Sequence, residues 1–229
     1  MQDYRRYAIY YAPDPGALAD FGAAWLGWDT AAGRDVAHPE VPGLPRPVHE
    51  LTATPRKYGL HGTIKPPFRL APGTTADELD SAARALCAGQ APVRLDGLGL
   101  SRLGRFVALK ALGDAGALAA LAAACVEGLD RFRAPAPPEE LARRRAKGLT
   151  DRQDALLQTW GYPYVMEEFR FHVTLTGSLP PDEAEMVRTA LAPALDGLLP
   201  APFDITSLCL AGEDDAGRFH LVRRYPLGA

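Results

Sequence analysis

The chain has 229 residues, a mass of 24.6 kDa, a formal net charge of -3 and a sequence pI near 6.0. Apolar residues make up 47% and charged residues 23%, which excludes general disorder, a coiled coil and a collagen-like chain. No apolar run approaches the roughly 18 residues of a membrane span, and the acidic balance argues against coating an extended nucleic-acid backbone.

The N-terminus, Met1 to Arg6, is followed by no apolar signal-peptide core, so a cytoplasmic location is expected. Tyr7 to Tyr11 is aromatic and β-branched and predicts a strand. Pro13-Asp14-Pro15-Gly16 ends it, and Leu18, Phe21, Ala24, Trp25 and Trp28 mark a helix face. Gly33 to Pro55 is irregular and carries five prolines; such a stretch suggests a lid or a surface flap.

Beyond it the chain repeats itself. Leu60-His61-Gly62-Thr63-Ile64 and Phe171-His172-Val173-Thr174-Leu175 share the pattern apolar-His-x-Thr-apolar. Gly-Arg-Phe recurs about 43 positions after His61 and about 45 positions after His172, at Gly104 and Gly217. Helix signals fill the intervals. Thr75 with Glu78 reads as a capping box ahead of Leu79, Ala82, Ala83 and Leu86. Pro180 to Glu183 opens a helix whose stripe is Met186, Ala190, Leu191 and Ala194. A hairpin follows each helix: Val93 to Leu100 with Phe106 to Leu112, and Phe203 to Ala211 with Phe219 to Tyr225. Each half therefore reads strand with His, helix, strand, turn, strand.

Between the halves lie a helix at about Asp114 to Leu129, a Pro-rich link (Ala134 to Pro138), a basic helix (Glu139 to Lys147) and a helix capped by Thr150 and Gln153 that stops at Gly161. Arg143, Arg144 and Arg145 form a solvated face of the basic helix. Cys87, Cys125 and Cys209 have no metal spacing and read as buried thiols.

The His blocks carry the chemistry. Period-two alternation puts Arg170, His172, Thr174 and Thr176 on one strand face and Phe169, Phe171, Val173 and Leu175 on the other. The first block likewise splits His61, Thr63 and Lys65 from Tyr58, Leu60 and Ile64. Two halves related by a pseudo-twofold would bring two imidazoles and two hydroxyls to one cleft. That set suits metal-independent phosphodiester hydrolysis. One neutral His takes a proton, one protonated His donates to the leaving oxygen, and the Thr hydroxyls bind non-bridging oxygens. The segment Leu51 to Ala76 holds Arg56, Lys57, His61, Lys65 and Arg69 and no acid, a local bias that fits an anion. His38, His49 and His220 read as structural. P-loop, G-x-S-x-G, dinucleotide and zinc signatures are absent, and no cofactor is expected.

His61-Gly62-Thr63 and His172-Val173-Thr174 resemble the paired motifs of the two-histidine (2H) phosphoesterase superfamily. Arg6 to Pro13, Tyr58 to Phe68 and Phe169 to Gly177 further resemble the branch associated with bacterial phosphonate-metabolism operons. The resemblance implies an α+β, bilobal, pseudo-twofold fold with two antiparallel sheets lining a central cleft and helices outside. The lobes would fall at about 50–130 and 165–229, with the N-terminal strand and the central helices packed on them. It implies catalytic His61, Thr63, His172 and Thr174; to these we add Tyr58, Lys65, Arg170 and Thr176 as expected substrate contacts. The implied substrate is a small anionic cyclic phosphate ester, with 5-phosphoribosyl 1,2-cyclic phosphate the form that the phosphonate association suggests. The alternatives are a phosphodiesterase for 2′,3′-cyclic or 2′–5′ RNA ends, and a nucleotide- or phosphate-binding module without turnover.

Overall fold

The computed structural model describes residues 3–228. The aromatic run folds as β1 (Arg6–Tyr11) and is followed by α1 (Ala17–Leu26), which ends on the left-handed Gly27. Two-residue strands β2 (Trp28–Asp29) and β3 (Arg34–Asp35) and the short α2 (Val48–Leu51) lead to β4 (Gly62–Phe68). Then come α3 (Ala76–Ala88), β5 (Val93–Leu95), β6 (Gly97–Leu103), β7 (Phe106–Leu112) and α4 (Gly116–Gly128). The remainder is α5 (Pro138–Arg145), α6 (Asp151–Trp160), β8 (His172–Thr174), α7 (Pro181–Leu195), β9 (Phe203–Ile205), β10 (Ser207–Glu213) and β11 (Phe219–Pro226).

The expected capping boxes start two of the helices. Thr75 Oγ1 accepts from Glu78 N while the Glu78 carboxylate accepts from Thr75 N, and Thr150 with Gln153 does the same for α6. The face of α7 differs from the expected stripe. Ala184, Val187, Leu191 and Leu195 are buried, and Met186 is exposed. Both stripes keep helical spacing, but the one through Val187 and Leu195 buries more hydrocarbon, and Met186 then faces outward.

An antiparallel seven-stranded sheet, ordered β11-β10-β1-β4-β8-β7-β6, forms the frame of this α+β fold. Strand pairing does not follow the order of the halves. The first His strand, β4, lies beside β1 and the second-half hairpin β10–β11, while the second His strand, β8, lies beside the first-half hairpin β6–β7. The helices are exchanged in the same way: α3 packs on β10 and β11, and α7 on β6 and β7. In place of two separate sheets, the halves join edge to edge at β4 and β8, whose shared register is the pair Gly62 and Val173. Joining there leaves neither His strand with an open edge. The further ladder β5–β9 takes one strand from each half.

The two faces of β1 show where the core ends. Tyr7, Ile9 and Tyr11 enter the main core with Trp25, Ile64, Val173 and Leu210, whereas Ala8 and Tyr10 pack with Ala211 and Phe219 on the opposite, cleft face. All three cysteines are buried free thiols, as expected. The stretch 33–55 is fastened to the body. His38 Nδ1 donates to the carbonyls of Ala24 and Trp25, Arg56 donates to His38 Nε2 at 2.7 Å, and Leu51 O accepts from Gly177 N at 2.8 Å. Arg46 pairs with Glu183 on α7. No described helix is long and apolar enough to cross a membrane.

Candidate active site

Gly62 and Val173 sit opposite each other and both turn toward the core side. Val173 is 1% exposed, and a Cβ on Gly62 would stand 2.3 Å from Phe171 Cε2. Alternation then sends His61 and Thr63, and His172 and Thr174, to the other face. The antiparallel register, continued one residue each way, sets His61 beside Thr174 and Thr63 beside His172. An approximate twofold through the Gly62–Val173 pair exchanges the two motifs.

The two imidazoles are held alike. His61 Nδ1 lies 2.9 Å from Gly59 O, and His172 Nδ1 lies 2.8 Å from Arg170 O, in each case the carbonyl two residues earlier. A carbonyl only accepts, so each Nδ1 carries a proton, and Nε2 is the ring nitrogen that can take or give one. His61 Nε2 is 3.2 Å from Thr63 Oγ1. An aromatic ring backs each imidazole: Tyr10 at 4.0 Å from His61 and Phe106 at 5.6 Å from His172, centroid to centroid. Burial pulls the His61 pKa from 6.5 down to about 4; the Gly59 hydrogen bond opposes the shift, and the charge of His172 adds to it.

A cavity of about 270 Å³ opens beside the motifs, with Thr63, His172, Tyr162, Tyr164, Glu168 and Arg170 in its wall. His61 borders a small crevice next to it, with Tyr10, Tyr58, Phe219 and His220. No residue of 33–55 lines either space. Among the described residues, no three His, Cys, Asp or Glu side chains group where they would hold a metal ion.

Among the expected substrate contacts, Arg170 is exposed in the cavity wall, and its Nη1 donates to the carbonyls of Glu167 and Phe169. Its neighbour Glu168 accepts from Gln153 Nε2 instead of pairing with it. Tyr58 was expected to face away from His61. It instead closes a 3-10 turn (Arg56–Tyr58), where strand alternation does not apply, and its ring lies 5.7 Å from His61.

Lys65 does not reach the cleft. The register between β1 and β4 slips so that Ile9 pairs with Lys65 and Tyr10 with Thr63. This bulge at Ile64 turns Lys65 to the side of Ile9, under α4. There it is 2% exposed, donates to Val126 O at 2.9 Å and lies 3.7 Å from Asp130 Oδ1. Burial pulls its pKa from 10.5 to about 8, with Asp130 opposing the shift. Lys65→Met is therefore expected to leave kcat/KM within about twofold of wild type, because the side chain touches no space beside the imidazoles. Asp130 keeps its pairing with Arg133, so no buried charge is stranded. A kinetic loss beyond tenfold in a folded variant would return Lys65 to the site.

Thr176 also serves the frame: it is 1% exposed, accepts from Val107 N at 3.0 Å and donates to Gly177 O at 2.9 Å. His220, read as structural, pairs with Asp214 at 2.8 Å and stands edge-on to Trp28. Sequence reading missed Tyr10, Tyr162 and Tyr164. For Tyr10 a signal existed, since it alternates with Arg6 and Ala8 along β1. The other two lie in an irregular segment after Gly161 and carry no periodic mark.

Fold and site define an α+β chain with two His-x-Thr motifs set about a local twofold beside one cavity. The chain belongs to the family described as "Protein of unknown function (DUF1045)", whose model matches residues 63–220. It is 41% identical over 218 residues to a protein of Janthinobacterium sp. (strain Marseille) named Ribose 1,5-bisphosphate phosphokinase PhnN, covering 93% of this chain and 48% of that protein. A protein of the same name from Laribacter hongkongensis (strain HLHK9) is 35% identical over 220 residues, covering 95% of this chain and 51% of that protein. The chain thus spans about half the length of the curated relatives it matches. Among solved structures, E. coli LigT complexed with NADP+ matches at a TM-score of 0.45 and 15% identity, over 100% of both chains. A structure described as a phosphoesterase matches at 0.44 and 16% identity, over 98% of this chain and 99% of that one.

Proposed function

We propose that this chain is a metal-independent phosphodiesterase that opens a small cyclic phosphate ester. The observation that carries this reading is the twofold-equivalent pair of imidazoles, each fixed by its Nδ1 with Nε2 left for chemistry. His61, which burial keeps neutral, acts as the base: its Nε2 takes a proton from water as the water oxygen attacks phosphorus. The bond from phosphorus to one ring oxygen breaks, and His172, protonated, donates to that oxygen. One water is consumed and one phosphate monoester with a free hydroxyl results; solvent exchange resets the two imidazoles. Thr63 and Thr174 donate to the non-bridging oxygens, where charge grows in the transition state.

The names of the two longer relatives favour a ribose substrate. Opening 5-phosphoribosyl 1,2-cyclic phosphate at the bond to the 2-oxygen yields ribose 1,5-bisphosphate, the compound in those names. This reading assigns the hydrolytic step to the chain, whose sequence carries no P-loop signature. An RNA-end substrate draws less support from the basic helix, because Arg144 pairs with Glu140 and Arg145 with Asp154. The test is turnover, followed by phosphorus NMR in chelator, of 5-phosphoribosyl 1,2-cyclic phosphate, 2′,3′-cyclic nucleotides and a 2′–5′ dinucleotide. Preference for the ribosyl compound supports the reading. Preference for the dinucleotide with steep salt dependence moves it to RNA, and tight binding without turnover moves it to a binding module.

The pH profile offers a separate check. A base with a pKa of about 4 stays neutral across the mildly acidic range, so kcat/KM should not acquire an acid limb near 6.5 from His61. Stability behaves in the same sense. Between 6.5 and about 4 the unfolded chain holds the extra proton, so the contribution of neutral His61 is complete above 6.5 and is lost as pH falls through about 4. An acid limb near 6.5 that disappears on changing His61 would contradict the assignment.

A further inference from the structure

The cavity beside the motifs carries a carboxylate. Glu168 lies in its wall together with Thr63 and His172, although a carboxylate repels the phosphate that the motifs would hold. The structure nevertheless fixes it there. Thr150 N donates to Gln153 Oε1 at 3.1 Å in the capping box of α6, and that bond settles which way the amide faces. Gln153 Nε2 then donates to Glu168 Oε2 at 3.0 Å. Arg170, in the same wall, spends Nη1 on two backbone carbonyls and does not pair with Glu168. Arg152, within electrostatic reach of Glu168, pairs with Glu167 instead. Among the described residues, Glu168 Oε1 has no hydrogen-bond partner.

The backbone that carries Glu168 is also unusual. Glu168 ends the 3-10 turn Met166–Glu168, and Met166, which opens it, has a φ of 53°. A residue with a side chain seldom adopts this left-handed conformation. Packing of Met166 against the cluster of Val126, Leu156 and Val165 holds it. Strain of this kind persists where the fold over-determines it, and it gathers at ligand walls.

The chemistry of the wall narrows the occupant. Thr63 and the phenols of Tyr162 and Tyr164 can donate or accept, Arg170 only donates, and the Glu168 carboxylate only accepts. Arg170 therefore suits a phosphoryl oxygen, and Glu168 suits a hydroxyl. The cavity of about 270 Å³ is roughly nine water volumes at about 30 Å³ each, room for a sugar beside its reacting phosphate. In 5-phosphoribosyl 1,2-cyclic phosphate the 1- and 2-oxygens belong to the cyclic ester, the 4-oxygen closes the sugar ring and the 5-oxygen carries the second phosphate. Once the phosphates are ionised, the 3-hydroxyl is the sole hydrogen-bond donor left.

We propose that Glu168 is a specificity-determining residue whose free carboxylate oxygen accepts a hydrogen bond from the sugar hydroxyl next to the cyclic ester, with Gln153 as its positioning residue. This rests on the phosphodiesterase reading, which puts the reacting phosphate at His61 and His172. It selects ring esters that keep a free neighbouring hydroxyl over those that lack one.

The test compares 5-phosphoribosyl 1,2-cyclic phosphate with its 3-deoxy analogue. Wild type should favour the hydroxylated compound by about tenfold in kcat/KM, the scale of one charge-assisted hydrogen bond. Glu168→Ala should lose about tenfold on that compound, mostly in KM, and no more than about twofold on the 3-deoxy analogue. Glu168→Gln, whose amide oxygen still accepts, should fall between. Gln153→Glu keeps the capping box but replaces the donor to Glu168 by a carboxylate, so it should reduce the preference while α6 stays helical. Calorimetric binding of the same two compounds to His172→Ala, with and without Glu168→Ala, reads the contact without turnover. Equal loss on both compounds in Glu168→Ala, or equal binding or no binding of the pair by His172→Ala, would overturn the role of Glu168. Failure of wild type to open either ester, with the binding preference intact and dependent on Glu168, would count against the phosphodiesterase reading alone.

Discussion

Changing either His61 or His172 to alanine should lower kcat/KM for ring opening by about 10²–10⁴-fold, the scale of one lost general acid or base. Both positions should show it, because the proposed mechanism asks one proton transfer of each imidazole. Changing both should cost less than the product of the single losses, since the groups act as a unit. The fold should survive. Each side chain is half-buried on the cleft face, outside the main core. His172 loses one hydrogen bond to a carbonyl and one ring contact, and His61 loses in addition its contacts with Thr63 and Tyr58, about 1 kcal/mol each. Single-variant kinetics beside chemical denaturation separates these effects. Full turnover in either folded alanine variant would remove that residue from the chemistry.

The second large effect is expected at a residue with no side chain. Gly62→Ala places a Cβ 2.3 Å from Phe171 Cε2 and 2.5 Å from Phe171 Cζ. The Phe171 ring is 7% exposed and wedged among Tyr11 and Phe203, so it has little room to retreat. Overpacking of this kind costs about 1–3 kcal/mol. The clash falls where β4 and β8 share their residue pair, so relief by sliding the strands would move one His-x-Thr motif against the other. Small displacements of catalytic groups are costly, and turnover should drop by about tenfold or more. Phe171→Leu removes the atoms that clash, and the double variant should recover part of the stability lost in Gly62→Ala. A Gly62→Ala protein as stable and active as wild type would show that the pair does not set the geometry.

What was legible in the chain and what was not follows from the range of the interactions. The capping boxes at Thr75 and Thr150 and the alternation at His172 are local, and local pattern found them. The doubled His-x-Thr pointed to the symmetric site because a repeat needs only the chain itself to be seen. Lys65 was misplaced by one extra residue in β4, since a slip of one reverses the face of all that follows, and the bulge depends on β1. Exchange of hairpins between halves depends on long-range pairing, which no run of residues records. Met186 and Val187 compete for the same helix face, and only the packed partner decides between them. Tyr162 enters the cavity from an irregular segment, where no period marks it.

The central claim is that this chain uses water to break a phosphorus–oxygen bond with two imidazoles. It is tested most directly by opening 5-phosphoribosyl 1,2-cyclic phosphate in heavy-oxygen water with chelator present, and reading the product by phosphorus NMR. One heavy oxygen should appear on the new monoester phosphate in each turnover by wild type, with almost none formed by His61→Ala or His172→Ala. Label in the sugar hydroxyl, or equal product from wild type and both variants, would contradict the account.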